Sequence, residues 1–490
     1  MSRPPTRRLL AAALAAAALT VGAGLPAHAT SPQEGLPGLV TLERIRQHQR
    51  ALQRIAEAHG GNRAAGHPGY DASARYVREV LTKAGYQPRS QRFDFDYFEL
   101  TGKQVLAQTA PAKKDYPHKV HFNVYQPSPS GTVDAAVTAL SLPCGGGVPT
   151  AFPKGDIALF PIDFACWRDQ AVRAQAAGAS AVLYDYPDQA RQATAGAASH
   201  AGHGLGADKA KAGTAADPEP KITVPLLDLD AGDARKELRK LAGKGLRLHL
   251  ETRTRTESRP ATNVLAETRR DLDPENQAVV MVGAHLDSVP EGPGSNDNGS
   301  GTATVLAIAE QLARTAPTRN SVRFAFWGAE EVGLLGSKHY TGALTERERS
   351  QLALYLNFDM LGSPNHVRFV LHNAKFPAGS ATIEKAFTTY LTARGLASEL
   401  VADEGRSDHG PFAKIGVPVG GVDSGAEKLK TTEQARTYGG TAGKPYDPCY
   451  HQACDNLNNV HLTGLDQLAD AAAHAVARFA KSVRDVRPGS

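Results

Sequence analysis

Apolar side chains recur along this chain of 490 residues with three different rhythms. Near the start, "LVTLERIRQHQRALQRIAEAHG" and "ASARYVREVLTKAG" place them every three or four residues, and "YQPRSQRFDFDYF" then places them at alternate positions. The first spacing predicts two amphipathic helices, the second a strand with one buried face. From about 118 to 255 the apolar runs shorten: "GDIALFPI" and "GASAVLYDY" flank a helical "WRDQAVRAQAAG", and "KITVPLLDL" leads into "ARKELRKLAGKGLRLHLET". After Pro260 they lengthen into near-continuous runs, "AVVMVGAHLDS", "SVRFAFWGAE" and "LALYLNFDMLG", separated by the helical stretches "SGTATVLAIAEQLART" and "EVGLLGSKHYTGAL". Strands apolar on both faces need helices over each face. The expected architecture is therefore α/β: a three-layer open, mostly parallel sheet covered by helices, formed by residues 37–117 and 256–486, with a smaller β-rich domain inserted at 118–255.

A hydrophobic content of 41% over this length provides for two globular domains and excludes a disordered chain. Residues 1–29 pass from the basic "MSRPPTRR" through "LLAAALAAAALTVGAGL" to "PAHA", the pattern of a secretory signal cleaved after Ala29. As a membrane span this stretch is short, rich in Ala and broken by Gly, whereas a span needs about 20 strongly apolar residues. Its removal takes away Arg3, Arg7 and Arg8 and no acids, so the formal charge of +5 falls to +2. No basic tract remains to favour nucleic acid or a membrane surface. A soluble, exported monomer is expected. Export permits disulfides, and Cys144, Cys166, Cys449 and Cys454 allow three pairings, of which nearest-neighbour pairing is the simplest. The Ala- and Gly-rich "QARQATAGAASHAGHGLGADKAKAGTAADPEP" predicts a long surface loop, with His200 and His203 solvated inside it.

In open parallel sheets, ligands gather at the carboxyl ends of the strands, and this chain puts its polar clusters there. "GAHLDS" ends one apolar run with His285 and, two residues on, Asp287 on the same strand face. A carboxylate beside a histidine suits a metal ligand whose second ring nitrogen is held in place. In "SVPEGPGSNDNGSG", Asp297 stands near a helix start, where it could cap the helix or bridge two cations. "FAFWGAEEVGLLGS" ends another run on the adjacent Glu330 and Glu331, and "YLNFDMLG" closes a third on Asp359. Far downstream, "PYDPCYHQACDN" sets Tyr450 and His451 between Cys449 and Cys454, whose bond would rigidify a very small loop. Two histidines and three carboxylates, with no thiolate, suit hydrolytic zinc, and five ligands suit a pair of zinc ions sharing a carboxylate and a water. Adjacent glutamates point in different directions, so one can bind metal while the other takes a proton from the water.

At these residues the chain resembles the secreted di-zinc aminopeptidases, the family of bacterial leucyl aminopeptidases and aminopeptidase Y. The resemblance runs in order through "GNRAAGHPGYDASARYV", "ATNVLAE", "GAHLDSVPEGPGSNDNGSG", "WGAEEVGLLGS", "NFDMLGSPN", "EGRSDHGPFAKIGVPVGG" and "CYHQACDN", and residues 118–255 resemble the protease-associated insert of some members. It implies one zinc on His285 and Asp359, a second on Glu331 and His451, and Asp297 between them. It further implies Glu330 as general base, Tyr450 as a stabiliser of the oxyanion, Asp287 behind His285, and Arg406 as a substrate-binding residue, with Asp408 and His409 structural. The implied substrates are peptide or protein N-termini, with a large apolar, leucine-type preference. Carboxypeptidase or dipeptidase activity on the same core would need a basic pocket for a carboxylate, which Arg406 alone does not establish. A non-catalytic receptor-like relative should lack ligands or base, and a single-zinc cyclase shares the same fold. A serine hydrolase is disfavoured because no G-x-S-x-G occurs.

Overall fold

The computed structural model describes residues 35–185, 220–229, 232–268, 278–315, 318–402 and 405–487. The signal stretch 1–29 and the histidines His200 and His203 lie outside them. The described residues form two eight-stranded sheets. Across the first, the strands run in the order Arg89–Leu100, Thr254–Glu267, Ser321–Trp327, Val279–His285, Leu352–Phe358, Val419–Asp423, Phe369–His372 and Glu399–Ala402. Its centre is parallel: Val279–His285 lies between Ser321–Trp327 and Leu352–Phe358, and Leu352–Phe358 in turn pairs with Val419–Asp423.

 

Three pairings at the flanks are antiparallel: Arg89–Leu100 with Thr254–Glu267, Thr254–Glu267 with Ser321–Trp327, and Phe369–His372 with Val419–Asp423. The sheet is thus mixed, parallel at the centre and again at one edge, where Phe369–His372 pairs with Glu399–Ala402. The reason is visible in burial. Every residue of Val279–His285 and Leu352–Phe358 is buried, as strands covered on both faces require. Arg89–Leu100 is largely exposed or half-buried, which suits an amphipathic edge strand entering by an antiparallel partner.

Alternate residues of the central strands serve two cores. Val280, Val282 and Ala284 join Phe324, Phe326, Leu354 and Leu356 beneath the helices Leu42–Ala58, Pro68–Lys83, Gly299–Leu312 and Leu462–Lys481. Val279, Met281, Trp327 and Tyr355 face the opposite way, against Tyr340 and Phe412 from the short helices Leu335–Ala343 and His409–Lys414. Each fully buried Val, Leu or Phe contributes roughly 1.5–3 kcal/mol relative to exposure, so the three layers hold the strand ends firmly in register.

The second sheet uses strands between Val105 and Thr252, the first of them starting ahead of residue 118. The chain leaves the first sheet at Leu100 and re-enters it at Thr254. This sheet has its own core, including Leu106, Phe122, Ile157, Leu183, Leu227, Leu248 and Leu250. Both nearest-neighbour disulfides are present: Cys144–Cys166, with Cα atoms 5.7 Å apart, and Cys449–Cys454, at 5.3 Å. Among the described residues, no helix is long and apolar enough to cross a membrane.

Candidate metal centre

Three of the first sheet's parallel strands end on chemistry. His285 is the last residue of Val279–His285, Glu330 and Glu331 follow Ser321–Trp327 across a short turn, and Asp359 follows Leu352–Phe358 directly. Asp297 comes from the loop before Gly299–Leu312. The cap of that helix is Asn298, whose Oδ1 accepts the Gly301 N–H at 2.9 Å, so Asp297 is left to face the strand ends. His451 arrives on the small loop closed by Cys449–Cys454. Turning the chain this sharply requires left-handed backbone at non-glycine residues: Ala329 (φ 56°) precedes the Glu330–Glu331 pair, Met360 (φ 56°) follows Asp359, and His451 (φ 57°) is itself a ligand candidate. Such residues cost of order 1–3 kcal/mol each and persist where the surroundings over-determine them.

The side chains converge in two overlapping groups. His285 Nε2 lies 3.2 Å from Asp297 Oδ1 and 3.3 Å from Asp359 Oδ1. His451 Nε2 lies 3.2 Å from Asp297 Oδ2 and 3.1 Å from Glu331 Oε2. Asp297 therefore gives one oxygen to each group. Glu330 stands apart from its neighbour, with Oε2 4.0 Å from His285 Nε2.

Whether cations fit here can be read from the polar atoms. Glu331 Oε1, Asp359 Oδ1 and His451 Nε2 are buried and make no hydrogen bond. His451 Nε2 has two carboxylate oxygens close by and bonds to neither, which is how ligands look when they surround a common point. Among the described residues, no Lys or Arg forms an ion pair with Asp297, Glu330, Glu331 or Asp359. Buried carboxylates without a cation are expensive, and nitrogen and oxygen donors in this number suit divalent metal. Burial, reinforced by Asp297, pushes the Glu331 carboxyl up to about 7. Burial also raises Glu330 well above the usual carboxylate range, with Glu331, Asp408 and Asp359 adding to it against the opposing effect of His285. Burial would disfavour charge on His451, but the Glu331 and Asp297 carboxylates overcome it and drive the imidazole pKa upward.

Around the ligands lies a frame, part of which the motifs did not reveal. Asp287 supports two elements at once: its carbonyl oxygen lies 3.1 Å from His285 Nδ1, and its carboxylate accepts the N–H groups of Glu330 and Glu331, both at 3.2 Å. Ser407 donates to Asp359 Oδ2 at 2.7 Å. Asp455, just past the disulfide loop, accepts the N–H groups of Asn296 at 2.9 Å and Asp297 at 3.0 Å. Arg63 is fully buried and donates to the carbonyls of Leu286, Pro293 at 3.0 Å and Gly294 at 2.8 Å, fixing the loop between His285 and Asp297. Tyr450 stacks on His451 with ring centroids 3.8 Å apart, and burial raises its hydroxyl well above 10. Arg406, expected to meet substrate, is substantially exposed and bonds Glu427 Oε1 at 2.9 Å. Asp408 and His409 are fully buried beside the centre. A further group, Cys144, Asp163 and Cys166, has ligand-like spacing, but its two sulfurs are bonded to each other and offer no thiolate.

The sequence profile of Peptidase family M28 matches residues 263–476, which include every candidate ligand. An aminopeptidase of Pseudomonas aeruginosa PAO1 is 38% identical over 474 residues, covering 92% of this chain and 83% of that protein. The chain belongs to peptidase family M28. Similarity to leucine aminopeptidase 2 of Trichophyton rubrum is 31% over 469 residues, covering 94% of this M28 chain and 88% of the relative. The fold matches BSAP, a zinc aminopeptidase from Bacillus subtilis, with a TM-score of 0.60 at 23% identity, covering 89% of this chain and 95% of that one.

Proposed function

We propose that this M28 peptidase is an exported aminopeptidase that holds two zinc ions and removes N-terminal residues, preferentially large apolar ones of the leucine type, from peptides. The observation that carries this reading is the pair of ligand groups sharing Asp297, whose carboxylates form no ion pair with Lys or Arg among the described residues. The names of the Pseudomonas, Trichophyton and Bacillus relatives support the activity, the leucine preference and the metal in turn. The 29-residue leader and two disulfides support export, and the second sheet is read as a protease-associated insert from the resemblance of residues 118–255.

One ion would be held by His285 and Asp359, the other by Glu331 and His451, with Asp297 between them. When bound, the zinc pair supplies a water of lowered pKa and an electrophile for the scissile carbonyl. Glu330 accepts the water's proton at a carboxylate oxygen and later delivers it to the leaving amine. A carboxyl whose pKa is raised by burial is suited to both steps. Tyr450 keeps its phenolic proton because burial raises its pKa, and donates it as a hydrogen bond to the developing oxyanion. Asp287 holds the Glu330–Glu331 turn, so that base and ligand keep their separate directions. Acidic groups around the site would supply an anchor for the substrate's α-ammonium group. Because Glu427 matches the charge of Arg406, this residue does not provide the carboxylate pocket of a carboxypeptidase.

Hydrolysis of leucine p-nitroanilide, compared with its N-acetylated form, tests the reading. Cleavage of the free amine alone, lost on chelation and in Glu330→Ala, is expected. Equal cleavage of the acetylated substrate, or activity that survives chelation, overturns it.

A further inference from the structure

Asp359 is reached by a run of hydrogen bonds that begins in the core. Trp327 Nε1 donates to the Tyr355 hydroxyl at 2.9 Å, and that hydroxyl donates to Asn357 Oδ1 at 2.8 Å. Asn357 Nδ2 donates to Ser407 Oγ at 2.9 Å, and Ser407 Oγ donates to Asp359 Oδ2 at 2.7 Å. Trp327 and Tyr355 are completely buried and Asn357 nearly so.

The polarity of this run is fixed at its inner end. An indole N–H can only donate, so the Tyr355 oxygen must accept it and turn its own proton toward Asn357. That orients the Asn357 amide with its oxygen inward and its NH2 toward Ser407. The amide nitrogen also can only donate, so Ser407 accepts there and must direct its proton to Asp359. Hydrogen bonds aligned in series at low dielectric strengthen one another.

A second observation shows that the sequence makes room for this run. Trp327 and Tyr355 lie on strands on either side of Val279–His285, and they meet over Gly283. A Cβ at Gly283 would collide with the Tyr355 hydroxyl and the Trp327 nitrogen. The ring of Tyr355 also stacks on Phe412, with centroids 4.1 Å apart and planes 8° from parallel, so the hydroxyl has little freedom to turn elsewhere.

We infer that Trp327, Tyr355 and Asn357 are positioning residues for the metal centre: through Ser407 they hold Asp359 by Oδ2 and so present Oδ1, 3.3 Å from His285 Nε2, as the ligand oxygen. The inference rests on the proposed di-zinc reading. Its specific content is that the run serves only the His285–Asp359 side. The Glu331–His451 side has no member of it.

The experiment titrates zinc into the chelator-stripped, purified protein and repeats the titration with Co2+ to follow its absorption spectrum. Three variants are compared with the wild type. Tyr355→Phe removes one hydroxyl and keeps the stacked ring. Asn357→Asp puts an acceptor where Ser407 needs a donor, turning the serine proton away from Asp359. Ser407→Thr keeps the hydroxyl and serves as the conservative control. Loss of a group that orients a ligand typically weakens metal binding 10–100-fold. The wild type and Ser407→Thr should bind two equivalents alike. Tyr355→Phe and Asn357→Asp should weaken one equivalent about 10–100-fold, spare the other, and lower kcat more than KM changes. Two equivalents bound with wild-type affinity in both variants would overturn the inference and leave the aminopeptidase reading standing. Equal weakening of both equivalents would also overturn it, since that is what general loosening of the fold produces. If the wild type binds no zinc, the di-zinc reading fails and the positioning role fails with it.

Discussion

Each of the two sheets places a buried carboxylate at the carboxyl end of a parallel strand, and the two surroundings differ in one respect. In the second sheet, Asp185 ends Ala181–Asp185 and is neutralised by Arg235, 3.4 Å away and equally buried, and by Arg239. In the first, Asp359, Glu330, Glu331 and Asp297 gather at the strand ends with two histidines and, among the described residues, no arginine or lysine in an ion pair with them. The Asp185 pair is complete within the chain. The other group has no such partner among the described residues: its carboxylates face two histidines and, at longer range, the buried Arg63. A buried acid at a strand end is therefore not itself the sign of a site; the missing counter-charge is.

The comparison can be broken most severely at Glu330. Glu330→Gln should lower kcat about 10²–10⁴-fold while metal analysis still finds zinc retained, because Glu330 belongs to neither ligand group. A parallel loss of zinc would remove the distinction between base and ligand. Next in size is Asp185→Asn, which removes the carboxylate charge facing the buried Arg235 and should cost about 3–5 kcal/mol in denaturant unfolding. The activity of the folded protein should not change. A smaller effect separates the disulfides. Breaking Cys144–Cys166, 22 residues apart, should cost roughly 3 kcal/mol with zinc affinity intact. Breaking Cys449–Cys454, five apart, should cost roughly 2 kcal/mol yet weaken zinc binding, because His451 lies inside that loop. The smallest effect has the opposite sign. Glu331→Gln, melted in chelator, should be more stable than wild type by about 0.5–2 kcal/mol, since it removes a buried carboxylate that the chain does not balance.

Which parts of this were legible beforehand follows from where their causes lie. His285 and Asp359 stand out because apolar strands end on them, a contrast visible within ten residues. The parallel centre followed from the same runs. The antiparallel flank was harder, because the partner of Arg89–Leu100 lies beyond the whole second sheet, at Thr254–Glu267. At Asp297 local spacing left cap and bridge equally open, and only the Asn298 bond to Gly301 separates them. Arg63 and Asp455 fall inside the blocks that carry the family resemblance, yet nothing in their spacing gave away their supporting roles. Their partners are Leu286, Pro293, Gly294, Asn296 and Asp297, more than 150 residues away, and a buried arginine bonded to carbonyls looks in sequence like any surface arginine. Arg406 shows the reverse: the motif marks it, while its pairing with the buried Glu427 depends on a separate segment.

The loop from Cys449 to Asp455 has a consequence for the order of assembly. It delivers His451 to one ligand group and, through Asp455, anchors the backbone of Asp297, the residue common to both. The other candidate ligands lie between His285 and Asp359, so while residues 360–450 are being added the chain carries four of the five and can close neither the second group nor the support of the first. Contacts of such long sequence separation form late in folding. On the proposed di-zinc reading, metal uptake would therefore wait for the C-terminal loop and serve as a clock for the completion of the fold.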